Sequence, residues 1–192
     1  TGDLADEARF KVAKTSFYKG EFDWAESQLN ILKASTSKLI ANDALELQLL
    51  INDYKSNDSL NLPLKLYAKA DFYKFQNNHN EAFHILKKLI SDYSENEIIY
   101  KAIIFQAKIL ESEKKYSEAL NKYELIINDN SSGMLIDDAY FFAAELCRIE
   151  LNLPKKALKY YEKIIFEYQD SIHLVDSKKY FRVLRNDNEL KN

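Results

Sequence analysis

Few residues of this sequence carry side chains that commonly perform catalysis or bind metals. The histidines are His79, His84 and His173, and Cys147 is the single cysteine. A zinc-protease helix needs two histidines four residues apart with an intervening acid, and a structural zinc site needs more cysteines. A nucleophilic cysteine needs a histidine and a third, orienting group, which the sequence does not identify. We therefore expect no catalysis, no metal and no cofactor.

Other polar features have structural explanations. Asp137 and Asp138 are adjacent carboxylates, but acids at the start of a helix complement its dipole and its free amides. Phosphate-binding loops need clustered glycines, whereas glycine occurs only at positions 2, 20 and 133 and proline only at 63 and 154. The shortage of both residue types also disfavours an all-β fold, so the sequence predicts helices. We interpret Cys147 as a small core residue and His79 as a packing residue in a turn.

Charge and hydropathy limit the possible partners. The formal net charge is −3 with both signs interspersed, which disfavours nucleic acid and acidic membrane surfaces. No stretch approaches the ~20 apolar residues of a membrane span, so we expect no direct membrane insertion. The sequence begins at Thr1 with neither a signal segment nor an initiating Met. We expect a piece of a longer protein.

An internal repeat organises the chain. Ala82, Ala119 and Ala157 lie 37 and 38 residues apart in similar contexts, and Ala25 marks an earlier copy. Twelve or thirteen residues before these four come four other alanines: Ala13, Ala70, Ala107 and Ala144. Small residues allow the two helices of a pair to approach closely, and a period of this length is typical of stacked helix-turn-helix units.

The repeat and local capping signals predict the helix boundaries. Asn78 with Glu81 and Ser94 with Glu97 are predicted N-terminal caps, and Asn152 is expected to cap the helix that begins at Pro154. The gap between Ala25 and Ala82 holds one additional helix, which should cause a local irregularity. We predict helices near residues 3–19, 23–34, 42–54, 62–77, 80–92, 96–113, 116–128, 134–151, 154–168 and 172–185.

These features resemble the tetratricopeptide repeat (TPR) family, in which small residues face each other and aromatics such as Tyr116 and Tyr123 recur around the second helix. The resemblance implies an all-α, right-handed superhelical TPR solenoid, which we expect to form a single domain over residues 1–192. About four helix pairs would lie near 3–34, 62–92, 96–128 and 134–168, with an extra helix at 42–54 and a C-terminal capping helix at 172–185.

Two stretches are similar to narrower groups within this family. The helix endings Ile90-Ser91-Asp92-Tyr93-Ser94 and Phe166-Glu167-Tyr168-Gln169 resemble repeats of bacterial envelope lipoproteins and outer-membrane assembly factors. The stretch Phe22-Asp23-Trp24-Ala25-Glu26-Ser27-Gln28-Leu29 resembles the C-terminal part of long TPR proteins of Bacteroidetes-type bacteria. The resemblance of the helix endings to envelope proteins favours a periplasm-facing place in the bacterial cell envelope over the cytoplasm.

The resemblance also implies where a partner would bind. In the family the opening helix of each repeat lines a concave groove, and the matching positions here mix aromatics with charges of both signs. They are Phe10, Lys14, Phe17, Tyr67, Asp71, Lys74, Phe75, Ile104, Lys108, Glu111, Phe141, Glu145 and Arg148. We expect a non-catalytic scaffold that binds a peptide, a helix or a protein surface. The alternatives are a structural spacer or oligomerisation module, and an accessory domain of a larger enzyme.

Overall fold

The computed structural model describes residues 3–32, 38–55, 60–129 and 133–189, and these ranges contain helices and turns but no β-strand. The all-α class is thereby confirmed. The helices are α1 (Asp3–Lys19), α2 (Phe22–Leu32), α3 (Lys38–Tyr54), α4 (Leu62–Phe75), α5 (His79–Asp92), α6 (Ile98–Ser112), α7 (Tyr116–Ile127), α8 (Ile136–Ile149), α9 (Pro154–Glu167) and α10 (Leu174–Glu189). A short 3-10 turn, Gly133–Leu135, precedes α8.

The predicted helix boundaries agree closely with these ranges. The largest differences are at α3, which begins at Lys38, four residues before the predicted start, and at α10, which ends at Glu189, four residues after the predicted end. Residues 33 and 34, the predicted end of the second helix, lie outside the described residues. None of the described helices is long and apolar enough to cross a membrane.

The helix pairs α1–α2, α4–α5, α6–α7 and α8–α9 close through equivalent turns. Each turn contains one residue with a left-handed backbone, five residues before the repeat alanine: Gly20 (φ 78°), Asn77 (φ 58°), Lys114 (φ 61°) and Asn152 (φ 51°). Glycine and asparagine adopt this conformation readily, whereas other residues lose about 1–2 kcal/mol. The predicted repeat is therefore visible in the backbone itself.

The last of these turns is one residue longer. The Lys115 amide donates a hydrogen bond to the carbonyl of Leu110, five residues back, whereas the Leu153 amide reaches Cys147, six residues back. Ala144 precedes Ala157 by thirteen residues, whereas the other three alanine pairs are twelve apart, and this hydrogen bond shows that the additional residue lies in the turn. The capping role predicted for Asn152 is wrong, because Leu153 occupies the cap position and Asn152 forms the left-handed turn.

The other two predicted caps have opposite outcomes. The Asn78 side chain accepts a hydrogen bond from the Glu81 amide at the start of α5, as predicted. The predicted Ser94 cap is wrong, because α6 begins at Ile98 and the Asn96 side chain accepts from the Ile98 amide at 3.1 Å. Ser94 and Asn96 lie only two residues apart, and Ser94 was predicted as the cap because Glu97 follows it by three residues.

The core consists of the predicted alanines and the apolar side chains around them. All eight repeat alanines are fully buried, from Ala13 to Ala157. The chain divides into two compact units, Thr1–Ile99 and Tyr100–Asn192. We call them the first and the second unit. In the second unit, α7 packs on α8, α8 on α9, and α9 on α10.

The extra helix belongs to the first unit, where α3 packs on α2 and, less extensively, on α1. The Gln48 side chain donates a hydrogen bond to Asn30 at 2.8 Å, and Lys55 forms ion pairs with Asp23 and Glu26 of α2. Because α1 also contacts α4 directly, α3 does not separate the first helix pair from the second.

Candidate binding surfaces

Two of the side chains that could perform chemistry, Cys147 and His173, pack within their own chain. Cys147 is fully buried, as predicted, and burial raises the pKa of its thiol to about 11, so it stays protonated at neutral pH. His173 lies 2.7 Å from an Asp138 carboxylate oxygen, and its ring stacks on Phe141 with centroids 4.1 Å apart. In the part of the chain that the structure describes, no group of three or more His, Cys, Asp or Glu side chains could hold a metal ion.

In the first unit, α1 and α4 form a surface of aromatic and charged side chains. The Tyr18 hydroxyl donates a hydrogen bond to Asp71 at 3.2 Å, and the Lys14 ammonium lies 3.8 Å from the same carboxylate oxygen. The Tyr18 ring contacts Phe72 and Phe75, with centroids 5.2 and 6.2 Å apart. Phe75 is nevertheless 69% exposed. We call these five residues the α1–α4 patch.

The α1–α4 patch is held in place by interactions of its own. Burial, and then the Asp71 carboxylate, raise the pKa of the Tyr18 hydroxyl, which therefore remains a hydrogen-bond donor at neutral pH. The Lys14 ammonium also lies 5.7 Å from the centre of the Tyr18 ring, a cation–π distance. A fixed tyrosine beside an exposed phenylalanine gives a partner an ordered apolar surface.

The remaining predicted residues of the first unit differ in accessibility. Phe17 is fully buried against Phe22, with ring centroids 5.8 Å apart, so a partner cannot reach it in this structure. Phe10 and Tyr67 are half-buried, and burial is the main cause that raises the pKa of the Tyr67 hydroxyl. Lys74 is exposed next to Phe75. Of the predicted groove residues in the first unit, Lys74 and Phe75 are thus exposed, Phe10, Lys14, Tyr67 and Asp71 are partly accessible, and Phe17 is not accessible.

In the second unit, a tyrosine cluster joins α6, α7 and α8. The hydroxyl of the fully buried Tyr123 donates a hydrogen bond to the Glu111 carboxylate. The Tyr123 ring packs on Phe142 at 5.7 Å, and the Lys108 ammonium lies 4.3 Å from the centre of the Phe142 ring. Burial, and then the bond to Glu111, raise the pKa of Tyr123. Two predicted groove charges, Lys108 and Glu111, thus contact residues of their own chain.

A second cluster repeats this arrangement on α8, α9 and α10. Tyr161 donates a hydrogen bond to Glu145, and Arg148 binds both oxygens of the same carboxylate, at 3.1 and 2.7 Å. The Tyr161 ring lies 6.0 Å from Tyr180, and the Arg148 guanidinium lies 4.0 Å above the Tyr180 ring. Tyr161 follows Tyr123 by 38 residues, and Tyr180 follows Phe142 by the same distance. The two clusters are therefore equivalent parts of the repeat.

The structure also changes the set of candidate residues in the second unit. Ile104 is a core side chain, only 6% exposed, and Phe141 is half-buried against His173. The predicted groove did not include Tyr18, Phe72, Tyr123, Phe142, Tyr161 or Tyr180. The 38-residue recurrence of the last four was a usable signal, whereas Tyr18 had none.

Comparison with known proteins does not place the chain in a family. No protein-family model matches the sequence, and no curated protein matches it significantly. The repeat assignment therefore depends on the residues and geometry described above.

Proposed function

We propose that this chain forms a TPR-type array of four helix pairs with a right-handed superhelical arrangement, an additional helix α3 and a capping helix α10. The four equivalent left-handed turns support this assignment. So do the eight buried alanines and the two tyrosine clusters 38 residues apart. Each feature recurs with the period of the sequence repeat.

The proposed function of the array is to bind another protein without catalysing a reaction. The observation that carries this proposal is the α1–α4 patch, in which Phe75 is 69% exposed beside the ordered ring of Tyr18. Aromatic side chains in ordered surroundings are typical of the residues that dominate binding energy. A partner peptide or helix would place an apolar side chain against Phe75, and Lys14 and Asp71 would orient its charges.

Site-specific photo-crosslinking tests this proposal. A photoreactive phenylalanine analogue at position 75 should capture one specific partner in the native cells, and the same analogue at position 166 serves as the control. Phe166 lies on α9 and is 67% exposed, so it matches Phe75 in residue type and accessibility. With the purified partner, Phe75→Ala should weaken binding by about tenfold or more, while Phe166→Ala should leave the affinity unchanged.

An equal pattern of adducts from both positions would contradict the proposal, as would a Phe75→Ala variant of unchanged affinity. Circular dichroism must show that both alanine variants keep the helix content of the parent chain. Phe75 is exposed at the end of α4, so its replacement should disturb the fold little.

A structural spacer is the second candidate, and one observation favours it. Several predicted groove side chains are occupied within the chain: Phe17 and Ile104 are buried, Glu111 binds Tyr123, and Arg148 binds Glu145. For a spacer, photo-crosslinking at position 75 would yield no specific adduct, and variants of the α1–α4 patch would leave every partner in place.

We further propose that the scaffold acts in a bacterial envelope assembly or secretion complex. The support is the resemblance of the helix endings at residues 90–94 and 166–169 to repeats of envelope proteins. Cell fractionation of the full reading frame tests this placement. Recovery with the periplasmic or membrane fraction would support it, and recovery with the cytosol alone would contradict it.

A further inference from the structure

The outward face of α10 combines positive charge with an exposed valine. Ser177 is fully buried on the side that packs against α9. On the opposite side, Val175 is 77% exposed, and cations stand three, four, seven and ten residues after it. Helical periodicity places these cations around the valine. They are Lys178, Lys179, Arg182 and Arg185, all exposed, and together with Val175 we call them the basic face.

An acidic depression lies in the same unit, between the start of α8 and the loop from α9 to α10. It is open to solvent, has a volume of about 460 Å³, and is lined by Asp137, Asp138, Glu167 and Asp170 among others. Asp138 is paired with His173, and Glu167 with Lys163. Ile172, at the rim, is 86% exposed. The second unit thus carries a basic and an acidic surface, each with an exposed aliphatic side chain.

The repeat pattern indicates that α10 is not followed by the second helix of a repeat pair packed on the basic face. Small buried residues recur on α6, α8 and α10 at intervals of 37 and 38 residues: Ala102, Ala139 and Ser177. Five residues after them come Ala107, Ala144 and Arg182. Ala107 and Ala144 are fully buried, and the repeat predicts that each lets the closing helix, the second helix of the pair, approach closely. The exposed Arg182 side chain would block the same approach on α10.

The two surfaces have the properties that a symmetric dimer requires. In a two-fold dimer the same surface is used by both copies, so each copy must carry both complementary parts. We infer that two copies of this chain associate around a two-fold axis, with the basic face of each copy against the acidic depression of the other. Val175 and Ile172 would supply the apolar contact at each of the two equivalent junctions.

Charge decides against the other arrangements. Two basic faces cannot pack on each other, because four cations on each side would repel. A nucleic acid or an anionic membrane that covered α10 would also meet the carboxylates of the neighbouring depression. A partner that covers both surfaces must present carboxylates to the basic face and cations to the acidic depression. A second copy of this chain carries both kinds of surface.

Charge reversal tests this dimer. Variant K178E/R182E makes the basic face acidic, and variant E167K/D170K makes the depression basic. Each variant alone should be monomeric, with self-association weakened by about tenfold or more. An equimolar mixture should recover the dimer, because both junctions then join opposite charges again. Light scattering coupled to size exclusion, and sedimentation over a range of concentrations, measure the mass directly.

The controls separate charge effects from misfolding. Lys87→Glu/Lys88→Glu reverses two exposed charges on α5 in the first unit and should leave the dimer intact. Circular dichroism must give all variants the parent helix content. The parent dimer should also weaken from ~50 mM to ~500 mM salt, because screening shortens the reach of exposed charges.

Three results would overturn the inference. A parent chain that stays monomeric at its highest soluble concentration in low salt excludes the dimer. A mixture of the two variants that stays monomeric excludes the proposed junctions. A mass that keeps growing with concentration indicates open, head-to-tail assembly instead. Binding of a DNA oligonucleotide or of anionic vesicles by a strictly monomeric chain would assign the basic face to that ligand.

Discussion

The four left-handed turn residues are not equally suited to their conformation. Gly20 has no Cβ, and a side chain there would meet the stem of Lys65 at about 2.9 Å. Asn77 and Asn152 belong to the residue type that tolerates positive φ best after glycine. Lys114, with φ 61°, has neither advantage. This one residue therefore holds backbone strain in a turn whose other copies avoid it.

Replacing Lys114 by glycine should stabilise the protein. Relief of the left-handed strain should exceed the added chain entropy of glycine in the unfolded state, for a net gain of about 0.5–1 kcal/mol. Thermal unfolding followed by circular dichroism measures the shift. Lys115→Gly is the matched control, because Lys115 has φ −87° and carries no such strain, so its replacement should leave stability equal or lower. A Lys114→Gly variant less stable than the parent would contradict this account.

Accessibility of single residues was the least predictable property. Phe17 and Phe75 are both phenylalanines near the end of an opening helix, yet one is fully buried and the other is 69% exposed. Periodicity indicates which side of a helix a residue occupies, but not how deeply the next helix covers it. Tyr18 was missed for the same reason, since its bond to Asp71 spans 53 residues.

At the scale of elements, the helices themselves were well predicted. The recurrent alanines predicted which helices pair, and the repeat together with the capping signals predicted where most helices begin and end. The place where α3 docks could not be predicted, because its apolar stripe would fit many surfaces. The ion pairs of Lys55 with α2, across 29 and 32 residues, and the hydrogen bond from Gln48 to Asn30 show the side on which it lies.

The two helix caps give a prediction at this scale. Asn78→Ala removes a bond to the Glu81 amide and should lower the free energy of unfolding by about 1 kcal/mol. Ser94→Ala should change it by less than about 0.5 kcal/mol, because Asn96 rather than Ser94 accepts from the start of α6. Urea denaturation of both variants measures the difference. Equal losses would mean that Ser94 contributes to the start of α6 after all.

At the scale of the whole molecule, the central question is whether the array unfolds as one domain, as the sequence predicts, or as its two compact units. Two natural probes distinguish these cases. Trp24, the only tryptophan, lies in the first unit, and Cys147, the only cysteine, lies buried in the second. Tryptophan emission therefore reports the first unit, and thiol accessibility reports the second, without any labelling mutation.

Overpacking one repeat alanine should reveal how far the two units are coupled. Ala119→Leu inserts a large side chain at a fully buried position of α7 and should cost about 1–3 kcal/mol, whereas Asn121→Leu on the exposed side of α7 should not. Stability in repeat arrays spreads through nearest-neighbour contacts. We expect Ala119→Leu to lower the urea midpoint reported by Cys147 more than that reported by Trp24, and Ala25→Leu to do the reverse. If both probes shift together in both variants, the chain unfolds as a single cooperative domain, and the two units are a feature of its geometry alone.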